Sequence, residues 1–206
     1  MPHSTPAGLE PAVLPPAVCT QLCDALADAL TPDDALRHIE AARLAVLGHG
    51  LLTVNLDATR PEDPPGEIQL QRLWTSNPQA YPVAGRKRKT ATDWTRQVLL
   101  RAEVFIGEGD EALAEAFEEH AQIAALGLHA VVNVPLLQDG RCVATFNVLG
   151  ARARWLPHEI ATLRLLALLA LPWVLQGRRA MQVALPGAKL PGPSTAGKMP
   201  GHPGRT

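Results

Sequence analysis

At 206 residues, 47% of them hydrophobic, the chain is long enough for one compact domain with a sizeable core plus terminal tails. A formal net charge of −1 excludes both the broad basic surface of a nucleic-acid binder and the acidic excess of a cation-buffering protein. Three cysteines without disulfide-framework spacing, Cys19, Cys23 and Cys142, fit a reducing, cytoplasmic setting.

Residues 1–16 carry Pro2, Pro6, Pro11, Pro15 and Pro16, and residues 179–206 become rich in Pro and Gly. Such stretches bury too little apolar surface to offset the entropy of ordering, so flexible tails are expected on either side of a domain at 17–178. The first 16 residues also lack the basic cluster and apolar run of a secretory signal. Val18, Leu22, Leu26 and Leu30 recur every four residues and predict an amphipathic helix over 17–30. Thr31-Pro32-Asp33-Asp34 then supplies an N-cap, a first-turn proline and two carboxylates for a second helix, which runs through Leu36, Ile39, Leu44 and Leu47 to Gly48. Strand patterning takes over at 51–57 and 67–74, two segments expected to pair across a Pro-rich turn. A loop containing Tyr81 and the basic run Arg86-Lys87-Arg88-Lys89 leads to a helix at 92–101, with Trp94 and Val98 on one face, and to a short strand at 103–107. The helix opening at Asp110 sets Leu113, Phe117, His120 and Ala124 on one face and ends near Gly127. Strands at 130–138 and 141–149 flank Asp139-Gly140, the strongest short-range hairpin signal. The final helix, 157–176, is apolar on nearly every side in its second half. One face is therefore expected on the sheet and another, joined by the N-terminal helices, against a second subunit. Its apolar run 165–175 is about half the length needed to cross a bilayer and contains Pro172, so no membrane span is expected.

The order of these elements resembles the GAF domain family over roughly residues 32–176. Leu126-Gly127-Leu128-His129-Ala130 leads into Val132-Asn133-Val134-Pro135-Leu136, which is similar to the family's approach to its fourth strand, and Ala144-Thr145-Phe146-Asn147-Val148-Leu149 is similar to its fifth. Ala144 stands where the family usually has glycine. The resemblance implies an α+β, PAS-related fold with a central antiparallel sheet of five or six strands. The N- and C-terminal helices would cover one face, and a pocket-forming layer of loops and helices the other. It implies a small-molecule-binding sensory or regulatory domain in signal transduction, acting through a partner or through homodimerisation, and it names neither ligand nor cofactor. One branch of the family reduces free methionine sulfoxide with several cysteines around the pocket. Here only Cys142 falls in the domain core, so a thiol enzyme is the alternative reading and a dimerisation scaffold with a vestigial pocket the third.

Because side chains alternate across a strand, Thr53, Asn55 and Asp57 share a face, as do Val131, Asn133 and Pro135, and Val143, Thr145 and Asn147; Arg72 and Trp74 form a further set. If these sets converge they make a polar pocket with an aromatic wall; otherwise they are the solvated side of an antiparallel sheet. The resemblance adds His120, on the helix that lines the family's pocket, as a titratable ligand contact, against the alternative of a core histidine. Arg72 suits a bidentate carboxylate or phosphate contact or a surface ion pair, and Trp74 and Trp94 suit stacking on a planar ligand or the core. The candidate ligand residues are thus Arg72, Trp74, Trp94, His120, Asn133, Thr145 and Asn147, for a small anionic or planar molecule. The basic run reads as a solvated loop, not a nucleic-acid surface. Cys19 and Cys23 share a helix face, but no second pair completes a metal site, so buried packing is expected. No Ser-His-Asp, phosphate-loop or metal-helix motif marks a catalytic residue.

Overall fold

The structure is a computed structural model, and it describes residues 13–83 and 85–183. Helices α1 (Pro16–Asp28) and α2 (Pro32–Leu47) precede strands β1 (Gly50–Asp57) and β2 (Ile68–Thr75) and the short β3 (Lys87–Lys89). A π-helical turn, Thr95–Leu100, leads to β4 (Phe105–Glu108), then α3 (Gly109–Ala116) and α4 (His120–Ala125). The hairpin strands β5 (Ala130–Gln138) and β6 (Arg141–Gly150) and the long helix α5 (Pro157–Val183) complete the described residues. The six strands form one antiparallel sheet in the order β3-β2-β1-β6-β5-β4, so β1 and β6 meet at its centre. This is the α+β architecture that the resemblance implies.

Local signals act where they were expected. Thr31 caps α2 by accepting from the Asp34 amide at 3.1 Å, Pro32 occupies the first turn, and Gly48 closes the helix at φ 72° with its amide on the Leu44 carbonyl. Asp139 and Gly140, both at positive φ, make the tight turn between β5 and β6.

Each face of the sheet has its own core. Leu52, Val54, Leu56, Val132, Val134, Phe146 and Val148 point towards α2 and α5 and pack on Leu36, Ile39, Leu163, Leu166 and Val174. Val131 and Leu149 point the other way, under Tyr81, Leu113, Ile123 and Leu128, and Trp94, Val98 and Leu70 make a third cluster beside them. Between β1 and α2 lies a buried ion pair. Arg43, 1% exposed, grips both carboxylate oxygens of Glu40 at 2.6 and 2.9 Å and donates to the Gly48 carbonyl at 3.1 Å, at the end of its own helix.

Several expectations change. The helix expected over 110–127 is two helices, because Phe117 takes an extended conformation (φ −133°, ψ 125°) and breaks the periodicity before His120. The helix expected at 92–101 is a single π-helical turn. Helix α5 runs unbroken through Pro172 to Val183, so residues 179–183 belong to it and not to a tail, and it is long and apolar enough by length and composition to cross a membrane. At the other end α1 already starts at Pro16 and Leu14 packs on the core. The expected tails at 1–12 and 184–206 lie outside the described residues. Cys19 and Cys23, expected to be buried, are exposed on α1, because the stripe that packs is Val18, Leu22 and Leu26.

Candidate functional site

The polar face of the sheet is covered, not solvated. Thr53, Asn55, Asn133 and Asn147 come together across β1, β5 and β6, where Asn133 pairs with Asn147 and Asn147 with Thr53. Their side chains form a continuous relay. Trp94 Nε1 donates to Asn133 Oδ1 at 2.9 Å, Asn133 Nδ2 donates to Asn147 Oδ1 at 2.8 Å, and Asn147 Nδ2 donates to Thr53 Oγ1 at 3.3 Å. Buried polar groups without such partners would be costly, so the relay fixes both the orientation of Trp94 and the floor it stands on.

Above that floor is a cavity of about 70 Å³. Its apolar wall includes Leu70, Trp94, Phe117, Ile123, Val131 and Leu149, and its polar wall Arg72, Tyr81, Lys89 and Glu119. Arg72 donates to the Pro82 carbonyl at 2.8 Å and lies 5.1 Å from the centre of the Tyr81 ring. Lys89 Nζ is 5.6 Å from the centre of the Trp94 ring, and neither cation has a carboxylate within ion-pair distance among the described residues. Glu119 binds Lys87 through Oε1 at 3.3 Å, and its Oε2 has no partner. Arg72 Nε and the Tyr81 hydroxyl are likewise buried and unpartnered among the described residues.

The charges follow from this crowding. Burial, helped by the positive charges of Lys87 and Arg72 and opposed by Glu119, lowers the Lys89 ammonium, and burial also lowers Arg72. Burial alone would raise the Glu119 carboxyl, but Lys89, its backbone amide and Lys87 together hold it below the usual range. Burial, then Glu119, push the Tyr81 phenol up to about 12, against the pull of Arg72. Tyr81 is the one tyrosine of the chain, so an ultraviolet titration reads it directly. Its midpoint is expected near 12, not at the ordinary value of 10. A folded-state value above the unfolded one means that stability is retained below pH 10 and lost as pH rises towards 12, and Tyr81→Phe should remove that component of alkaline destabilisation. A midpoint at 10 would place the ring in solvent.

Of the residues expected at the site, Arg72, Trp94, Asn133 and Asn147 line the cavity. Thr145 is on the same face but fully buried beneath it, with an unpartnered hydroxyl. Trp74 is on the opposite face. Val54 pairs with Trp74 while Asn55 pairs with Arg72, so Leu73 is an extra residue and β2 changes sides between 72 and 74. Trp74 therefore joins the helix-side core, where Nε1 donates to Asp33 at 2.8 Å. His120 is exposed, follows the break at Phe117, and sets Nδ1 3.1 Å from the Phe117 carbonyl.

Tyr81, Lys89 and Glu119 were not anticipated. The signal for Lys89 was the basic run, which is an edge strand and not a solvated loop: Arg86 pairs with Asp63, Lys87 with Glu119 and Arg88 with Glu67, leaving Lys89 on the Trp94 face. None of the three cysteines lines the cavity. Cys142 is buried with its thiol pushed up to about 11 by that burial, far from the thiolate that sulfoxide chemistry uses.

A six-stranded antiparallel sheet with helices on one face and a roofed polar cavity on the other defines an α+β domain of the GAF and PAS type. The chain belongs to the GAF domain family, whose model matches residues 18–170. Among solved structures it is similar to the GAF domain of a phosphoenolpyruvate-protein phosphotransferase from Coxiella burnetii, at 14% identity and a TM-score of 0.58, covering 80% of this chain and 95% of that one. It is similar to the GAF domain of a two-component sensor histidine kinase from Bacillus halodurans (16% identity, TM-score 0.52, 72% and 99% covered). It is also similar to a free methionine-R-sulfoxide reductase from Neisseria meningitidis, solved with its substrate (18% identity, TM-score 0.55, 79% and 89% covered). At these identities the likeness is one of fold. No curated protein matches the chain.

Proposed function

We propose that this GAF domain is a small-molecule-binding regulatory module whose ligand sits in the cavity over Thr53, Asn133 and Asn147. The reading is carried by the polar wall atoms left without partners there, Arg72 Nε, Tyr81 Oη and Glu119 Oε2. Buried groups of this kind cost folding free energy, and a site that keeps them is arranged for something that supplies the missing bonds. Arg72, Trp94, Asn133 and Asn147 are its proposed contacts, and an anion suits its positive wall. The signal leaves through a partner or through a homodimer built on α1 and α5, whose Leu165 and Leu168 are exposed, the latter by 65%. Free thiols at Cys19 and Cys23 suit a reducing, cytoplasmic setting.

The test is native mass spectrometry of the purified protein, with denaturing extraction of whatever travels with it. A stoichiometric small molecule in a dimer is the expected result. A dimer without one, with a melting temperature that no metabolite moves, would favour the scaffold.

A further inference from the structure

The cavity wall is specific about charge. Three cations, Arg72, Lys87 and Lys89, surround one wall carboxylate, Glu119, and that carboxylate already answers Lys87 through Oε1. Glu118 adds negative charge near Lys89, but it is exposed and outside the wall. Arg72 and Lys89 thus line the cavity as partly buried cations that share the field of Glu119 but have no carboxylate within ion-pair distance among the described residues, a setting that favours an anion. Glu119 Oε2 asks for the opposite, a hydrogen-bond donor. An ammonium would provide one, yet it would enter beside the two wall cations Arg72 and Lys89, so a neutral hydroxyl is the donor that the electrostatics allow. Size narrows the choice further. A volume of about 70 Å³ holds roughly five to seven waters, so the part of a ligand that this half-open cavity encloses is small.

We infer that the cavity takes a small 2-hydroxycarboxylate, its carboxylate between Arg72 and Lys89 and its hydroxyl on Glu119 Oε2, with Tyr81 as a second hydroxyl contact. The inference rests on the cavity being the ligand site. The short carbon chain meets Ile123, Val131 and Leu149.

Isothermal titration of the full chain, stripped of co-purifying molecules by unfolding and refolding, should compare four probes of one size: lactate, propionate, alanine and propane-1,2-diol. Lactate is expected to bind at least tenfold more tightly than each of the others, the range that one hydrogen bond to a charged group confers. Glu119→Ala, which removes the acceptor, should erase the preference over propionate, and Arg72→Ala should abolish lactate binding while circular dichroism reports an intact fold. Propionate binding equal to lactate would overturn the role of Glu119, and alanine binding best would overturn the charge argument. If none of the four binds while extraction yields a different stoichiometric molecule, the ligand class is wrong and the cavity remains the ligand site. If neither experiment yields a ligand, both readings fall.

Discussion

Replacing Arg43 by alanine is expected to cost the fold about 3–5 kcal/mol, the usual penalty for leaving one member of a buried ion pair behind. Glu40 would keep a charge at a site that is 8% exposed, with both its oxygens deprived of the guanidinium. The Gly48 carbonyl, which receives Arg43 at 3.1 Å just past the end of α2, would lose its partner as well. Urea denaturation checks this: the midpoint should fall sharply with the slope unchanged, since the same surface is exposed on unfolding. The double replacement Arg43→Leu with Glu40→Leu should recover most of the loss, because a hydrophobic pair of similar volume removes both desolvation penalties. A double variant as unstable as the single one would mean that the Gly48 contact, not the ion pair, is the stabilising element.

How far the molecule can be read from its sequence depends on the range of the interaction concerned. The α2 cap, the Asp139-Gly140 turn and the sharing of one strand face by Thr145 and Asn147 are set by residues within a few positions of one another, and all were legible, whereas the meeting of Asn133 with Asn147 across the hairpin was only one of two open outcomes. The bulge at Leu73 was not legible. It is imposed by the pairing of β2 with β1, and one extra residue suffices to send Trp74 to the helices while Arg72 stays with the cavity. His120 was misplaced for a related reason: Leu113, Phe117 and His120 have helical spacing, but Phe117 leaves the helix and packs beside Trp94 and Phe105. Tyr81, Lys89 and Glu119 come from a loop, an edge strand and an interhelical link, which only tertiary contacts bring together. Yet the basic run held a usable hint. Alternation along a strand puts Lys87 and Lys89 on one side and Arg88 on the other, and Asp63 and Glu67 lie on the β1–β2 loop as partners for Arg86 and Arg88.

The relay beneath the cavity makes Asn133 the residue at which stability and site geometry meet. Asn133→Ala would strip Trp94 Nε1 of its acceptor and Asn147 Oδ1 of its donor, two buried groups at present satisfied at 2.9 and 2.8 Å. At about 1–3 kcal/mol for each orphaned group, a loss of roughly 2–6 kcal/mol is expected, towards the lower end where water from the neighbouring cavity takes the vacated place. Asn133→Asp probes the same relay through its charge. Its carboxyl would still accept from Trp94, but without an amide donor it would meet Asn147 Oδ1 acceptor to acceptor at a site 2% exposed, so it must either bind a proton and restore the donor or stay charged and unpaired. Its stability should therefore fall as pH rises, and where the carboxylate is charged an anionic ligand should bind less tightly beside it. Urea midpoints and titration calorimetry on the two variants distinguish these effects. An Asn133→Ala protein within about 0.5 kcal/mol of the parent, the ordinary effect of a surface change, would show that Trp94 is held by its packing on Phe117 and not by the relay.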